Sequence, residues 1–180
     1  MKIVQGWLTG CERLESPNAD LRPSPDDINL LVIHNISLPP EQFGGPYIGQ
    51  LFSNCLDPMQ HPYFREIHQL KVSAHLLIDR VGTLTQFVAF EKRAWHAGIS
   101  AFEDRSQCND FSIGIELEGA DQIPYTDAQY LALSEVTSLL IDYYPRLTAQ
   151  RIVGHADIAP GRKTDPGPAF DWHKFRMLLP

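Results

Sequence analysis

Ile28-Asn29-Leu30-Leu31-Val32-Ile33-His34-Asn35-Ile36 is the stretch on which the fold turns. Its run Leu30-Leu31-Val32-Ile33 is too continuous for a strand with one wet face. It reads as a central strand buried on both sides, and such a strand needs a sheet covered on both faces. His34 follows directly, so an imidazole stands at the strand's C-terminal end. Side chains emerge from a sheet at strand ends, where a site can form.

A second apolar strand end lies far along the chain, at Arg151-Ile152-Val153, and it leads into Gly154-His-Ala-Asp-Ile-Ala-Pro-Gly-Arg-Lys-Thr-Asp-Pro-Gly-Pro168. There His155 takes the same place that His34 takes after the first run. Asp165 comes ten positions later, with Lys163 between them. Pro160, Pro166 and Pro168 fix φ and remove backbone donors, so this reads as a stiff loop that holds side chains without a helix beneath them.

The third strong signal is Phe111 to Glu118, which alternates strictly: Phe111, Ile113, Ile115 and Leu117 on one face, Ser112, Gly114, Glu116 and Glu118 on the other. Residues 73–79 and 83–90, joined by Arg80-Val81-Gly82, predict an antiparallel hairpin. Thr126 to Tyr144 predicts a helix capped by Thr126 or Asp127, with Leu133, Val136, Leu140 and Tyr143 as its apolar stripe and Pro145 as its stop. Asp171 to Leu179 reads as a terminal helix, and short helices are expected at Ile48–Asn54 and Tyr63–Leu70 inside the long Pro/Gly loop Ser37–Pro62 and after it. Residues 91–110 read as loop, and residues 1–27 as an irregular N-terminal arm over the domain. No repeat or linker divides the chain. The expectation is one α/β domain over 1–180, with a central mixed β-sheet flanked by α-helices and the site at the strand ends.

A length of 180 residues with 43% hydrophobic content suits a single domain with a sizeable core. No apolar run approaches the roughly 18–20 residues of a membrane span. The start, Met1-Lys2-Ile3-Val4-Gln5-Gly6-Trp7, lacks the apolar segment and small-residue cleavage site of a signal peptide. Cys11, Cys55 and Cys108 are odd in number and show no metal-binding spacing, so they read as reduced thiols in a cytoplasmic protein. A net charge of -7 argues against nucleic acid or an anionic membrane as partner. A small anionic substrate in a locally basic pocket stays open.

Seven histidines offer many possible metal ligands. His61, His68 and His173 lie in polar or helical surroundings and read as surface residues. His75, between Ala74 and Leu76, reads as a buried, hydrogen-bonded strand residue, and His96 beside Trp95 as a pocket wall. His34 and His155 stand apart because each ends an apolar run. Catalytic zinc takes three protein ligands and keeps one position open. His34, His155 and Asp165 supply such a set, with Lys163 facing it. The competing reading is two polar strand ends and a turn aspartate, and no HExxH motif decides between them. Glu116 is either a solvent-facing strand carboxylate like Glu118 or a general base. Lys163 is either a solvated loop lysine or an oxyanion donor.

Further stretches carry a resemblance. They are Gly6-Trp7, Leu31-Val-Ile-His-Asn-Ile-Ser-Leu-Pro-Pro40, Phe43-Gly-Gly-Pro46, His61-Pro-Tyr-Phe64 and Val72-Ser-Ala-His75. Arg93-Ala-Trp-His-Ala-Gly98, Cys108-Asn-Asp-Phe-Ser-Ile-Gly-Ile-Glu-Leu-Glu-Gly119, Tyr125-Thr-Asp-Ala-Gln-Tyr130 and the segment 154–168 complete it. With these, the chain resembles the zinc amidases that split N-acetylmuramic acid from L-alanine, a group related to phage lysozyme-like amidases and peptidoglycan recognition proteins. Within that group it is most similar to the cytoplasmic branch that acts on anhydro-muropeptides in cell-wall recycling. The resemblance implies zinc on His34, His155 and Asp165, Glu116 as base and Lys163 at the oxyanion. It implies a small muropeptide substrate, a monomer, and Asn35, Tyr63, Lys71, Trp95 and His96 as substrate-binding residues. Lys71 stands where arginine is expected and Gln107 where another basic residue is expected, and a lysine is a point charge where arginine is a bidentate fork. A non-catalytic muropeptide-binding module and a peptidase on the same scaffold are the other functions weighed. The intact ligand set speaks against the first, and a substrate lacking the muramyl group separates the second.

Overall fold

In the computed structural model of the chain, which describes residues 1–179, six strands hydrogen-bond into one sheet. They are β1 (Glu12–Arg13), β2 (Leu30–Ile36), β3 (Leu76–Ile78), β4 (Leu84–Gln86), β5 (Ser112–Glu118) and β6 (Ile152–Gly154), in the order β6-β2-β5-β3-β4-β1. β6, β2, β5 and β3 are parallel; β4 runs antiparallel to β3, and β1 lies parallel to β4. The sheet is therefore mixed, and the antiparallel hairpin that makes it so is the one expected around Arg80-Val81-Gly82. The helices are α1 (Tyr47–Phe52), α2 (Phe64–Ile67), α3 (Asp127–Tyr143), α4 (His155–Ile158) and α5 (Trp172–Met177).

Both faces of β2 are covered, as its continuous apolar run requires. Leu31 and Ile33 join Ile113, Ile115, Leu117, Leu76 and Ile78 in a core with Leu133, Val136 and Leu140 of α3. Leu30 and Val32 point the other way, into a cluster with Ala97, Cys108, Phe111 and Ile158. A third cluster, including Leu38, Ile48, Leu51, Phe52, Phe64 and Phe87, fills the space beneath the long Pro/Gly loop. Fully burying each such side chain is worth about 1.5–3 kcal/mol. α3 starts on a reciprocal cap: Gln129 N donates to Thr126 Oγ1 at 3.2 Å, and Thr126 N donates to Gln129 Oε1 at 3.1 Å.

Several expectations are corrected. The strand carrying His34 continues to Ile36, so His34 lies inside it and not at its end. A helical turn, α4, begins at His155, where a bare loop was expected. Tyr143 is exposed, and Tyr144 takes its place in the core, because the chain has already left the helix with extended geometry before Pro145. Residues 91–110 are not all loop: Lys92–Ala94 pairs with Ala19–Leu21, and Ala101–Phe102 pairs with Arg105–Ser106. Nor is the N-terminal arm irregular throughout, since Ile3–Val4 pairs with Trp7–Leu8 and β1 extends the central sheet. Strands of two or three residues are too short for a period to show in sequence.

The arm is fastened by buried polar groups. Arg22 is only 4% exposed, yet it donates to the carbonyls of Phe90, Asn109 and Ser112 at 3.1, 2.9 and 2.7 Å. Gln86 accepts from Leu8 N at 2.7 Å and donates to Gly6 O at 2.8 Å. These contacts hold the arm against the strands that carry the site.

Candidate active site

Strand register brings the distant residues together. In the parallel β2–β5 pair His34 stands opposite Glu116, and in the β6–β2 pair Gly154 stands opposite Ile33. The residue after Gly154 is His155, which therefore arrives level with His34. Alternation puts His34 and Glu116 on the same face, away from α3. The polar face of β5 is thus not solvated, as its pattern alone allows, but covered. His96 packs directly over it: a Cβ at Gly114 would lie 2.4 Å from His96 Cγ, so only glycine admits the ring there. Glu118 on that face is buried and accepts from Gly44 N and Arg80 N.

Three atoms able to ligate a metal meet at this point. His34 Nδ1 and His155 Nδ1 lie 3.0 Å apart, and each is 3.1 Å from Asp165 Oδ2. His155 Nε2 lies 3.0 Å from the Ala97 carbonyl oxygen, an acceptor only, so the ring proton sits on Nε2 and Nδ1 carries a lone pair. Burial pushes the His34 pKa down to about 4, which favours the neutral ring. With their lone pairs turned inward, the two Nδ1 atoms join the Asp165 carboxylate as three acceptors aimed at one point, a costly arrangement without a shared cation. Tetrahedral zinc, bound at about 2.0–2.2 Å, spaces its ligands roughly 3.3 Å apart. The donor set fits that ion.

Glu116 stands beside this triangle. Its Oε2 is buried and has no hydrogen-bond partner among the described residues. Burial and the Asp165 charge push its pKa well above the ordinary carboxylate value, and the Lys163 charge opposes them. A carboxylate oxygen left bare at the wall of a cleft has its acceptor capacity free for a bound molecule.

The cleft measures about 360 Å³. His34, Asn35, Tyr63, Trp95, His96, Glu116, His155, Lys163 and Asp165 all line it. Lys71 does not: it is exposed at the rim, between the lining residues Leu70 and Val72. Gln107 is exposed outside the lining, in left-handed conformation at φ 60°. Asn35 spends its amide protons within the protein, on Asp121 Oδ1 at 2.8 Å and Pro166 O at 3.1 Å, and so ties β2 to the loop carrying Asp165. His75 is buried: its Nδ1 accepts from Gly114 N at 3.0 Å, and its Nε2 lies 3.1 Å from Lys92 O.

Sequence reasoning missed Ser112, Ala97 and Arg162. Ser112 Oγ lies 3.1 Å from His96 Nε2, and Arg162 donates to Ala97 O at 2.6 Å, the carbonyl that also meets His155. These are backbone groups and common polar residues, and no spacing marks them. The apolar wall from Leu38, Leu51, Phe52 and Ile67 was also unforeseen, because the loop that carries it has no period.

Residues 24–168 match the N-acetylmuramoyl-L-alanine amidase family, and the chain belongs to that family; it is an enzyme, an amidase. It is 59% identical over 179 residues to the 1,6-anhydro-N-acetylmuramyl-L-alanine amidase AmpD of Escherichia coli (strain K12), covering 99% of this chain and 97% of that protein. It is 58% identical over 173 residues to AmpD of Haemophilus influenzae, covering 96% and 94%. The crystal structure of a selenomethionine derivative of AmpD superposes with a TM-score of 0.97 at 56% identity, covering 100% of both chains. The Escherichia coli amidase AmiD, in complex with the substrate anhydro-N-acetylmuramic acid-L-Ala-D-gamma-Glu-L-Lys, gives a TM-score of 0.62 at 31% identity, covering 84% of this chain and 57% of that one.

Proposed function

We propose that this chain hydrolyses the amide bond between N-acetylmuramic acid, in its anhydro form, and the L-alanine of a muropeptide, as a monomeric zinc enzyme of cytoplasmic peptidoglycan recycling. The observation that carries this reading is the convergence of His34 Nδ1, His155 Nδ1 and Asp165 Oδ2 within 3.0–3.1 Å of one another beside the bare, buried Oε2 of Glu116. The 59% identity to an anhydro-muramyl amidase over 97% of that protein supports the substrate class.

His34, His155 and Asp165 would hold a zinc ion, which would supply a Lewis acid and lower the pKa of a bound water to about 7. Glu116 takes the proton of the attacking water, and its raised pKa makes it a strong acceptor once ionised. The same carboxyl then passes that proton to the departing L-alanine amine. Lys163 donates to the amide oxygen as it gains negative charge. Asp165, one of the three proposed ligands, takes no part in proton transfer. Tyr63, Trp95, Asn35 and His96 shape the walls, and Lys71 at the rim meets a carboxylate of the peptide. No helix among the described residues is long and apolar enough to cross a membrane.

The test is product analysis by mass spectrometry on anhydro-muramyl tripeptide, run beside elemental analysis of the protein. One zinc per chain, release of free tripeptide, and loss of turnover in strong chelator are expected. Full turnover of metal-free protein overturns the zinc reading. Equal cleavage of a peptide lacking the muramyl group overturns the substrate reading.

A further inference from the structure

An imidazole offers a lone pair at Nδ1 only when its proton sits on Nε2. For His155 the Ala97 carbonyl enforces that state directly. His34 has no such carbonyl. Its Nε2 lies 2.9 Å from Nδ1 of His96, and a contact between two ring nitrogens leaves open which one holds the proton. The answer is set two contacts further on. Ser112 Oγ lies 2.6 Å from the Cys108 carbonyl oxygen, which can only accept, so the hydroxyl's one hydrogen points there. The serine oxygen is then the acceptor for His96 Nε2–H at 3.1 Å. Neither ring nitrogen of His96 meets a carboxylate, so nothing supports a second proton on that ring. With its proton on Nε2, His96 has a lone pair at Nδ1 and must accept from His34 Nε2–H.

We infer that His96 and Ser112 are positioning residues: a one-way chain of hydrogen bonds, His34 to His96 to Ser112 to the Cys108 carbonyl, fixes a proton on His34 Nε2 and so leaves Nδ1 as the nitrogen turned toward His155 and Asp165. The surroundings hold this chain rigid. Gly114 lets the His96 ring lie on β5, and the His34 and His96 rings meet edge to face at 86°. Asn109 Oδ1 accepts from the backbone N of both His96 and Ala97, at 3.1 and 2.8 Å. One anchored dipeptide thus orients both histidines, His155 through the Ala97 carbonyl and His34 through the His96 ring. Both ring nitrogens of His96 are engaged inside the protein, so it meets substrate only through its ring carbons.

The consequence for affinity rests on the zinc reading proposed above, whereas the proton on His34 Nε2 is a property of the metal-free chain. Outer partners of metal-bound histidines typically change affinity by about 10–100-fold. His96→Phe keeps a flat ring but removes the acceptor, and zinc affinity measured against a competing chelating dye is expected to fall about 10–100-fold. His96→Asn places an amide oxygen near the old Nδ1 position and is expected to recover most of that loss. Ser112→Ala releases the direction of the chain and is expected to lie between them. In ¹⁵N-labelled, zinc-free full-length protein at pH 8, long-range imidazole correlations are expected to show His34 protonated at Nε2 in the wild type and in His96→Asn, and a mixed state in His96→Phe. A wild-type chain that binds no zinc ends the zinc reading but leaves the tautomer measurement standing. A wild-type His34 protonated at Nδ1, or zinc affinity within twofold of wild type in folded His96→Phe, overturns the inference.

Discussion

Replacing Glu116 with Gln tests the proposed chemistry most directly. The amide is nearly isosteric with the carboxyl, and Oε2 makes no hydrogen bond among the described residues, so the change removes a proton acceptor without breaking a contact of that oxygen. Removing a general base typically costs about 10²–10⁴-fold. The structure argues for the upper end of that range. The other carboxylate lining the cleft is Asp165, and it is committed to both histidines at 3.1 Å. With no second carboxylate free at the cleft, a loss of about 10³–10⁴ in kcat is expected, roughly 4–5.5 kcal/mol of transition-state stabilisation. Zinc content should stay at the wild-type level, because His34, His155 and Asp165 are untouched, and the melting temperature should change little. The assay is steady-state hydrolysis of anhydro-muramyl tripeptide with metal analysis of the same preparation. A folded, zinc-loaded Glu116→Gln protein with kcat within tenfold of wild type would refute the assignment and move the base elsewhere.

Lys163→Ala should lower kcat by about 10²–10³ with little change in KM, the signature of an oxyanion donor; a rise in KM alone would make Lys163 a substrate-carboxylate binder. Arg22→Met removes the donor of two buried carbonyls and one half-buried one and should cost about 3–5 kcal/mol of stability, read by denaturant unfolding; a loss under 1 kcal/mol would show that the arm is held by other contacts. Arg93 donates to Asp20 at 2.6 Å and to Asp110 at 2.6 Å, and its hydrogen bond holds the Asp20 carboxyl below the ordinary range. A depressed folded-state pKa gives stability that is present above the unfolded value, about 3.9, and is lost as pH falls through the folded one. The stability gap between wild type and Arg93→Met should therefore be constant from pH 6 to 8 and shrink below about pH 4; a gap unchanged at pH 3 would rule out the ion pair as its source.

Much of the scaffold was readable because its signals are long. Leu30 to Ile33 showed a doubly buried strand, Phe111 to Glu118 a period of two, and Thr126 to Pro145 a capped and stopped helix. The residue types of the His34, His155 and Asp165 cluster were legible, but its place was not read correctly, since His34 lies inside β2 and not at its end. What local pattern could not convey is how side chains separated by up to 131 positions meet, since His34 and Asp165 are joined only by the parallel register of β6, β2 and β5 and by the turn after Gly154. The same limit explains Glu116, whose alternating strand marks a polar face but not whether water or protein covers it. The cover comes from residues 91–110, where strands of two and three residues leave no period. Arg22 reads as one more charge in a polar arm, yet it is buried because three backbone carbonyls happen to converge on it. Sequence alone determined which residues lie along the long strands β2 and β5 and along α3, because side-chain period and capping act within a few residues. Tertiary structure decided which of those residues face one another, what water they lose and which ring nitrogen each histidine presents, because those properties depend on partners brought close only by folding.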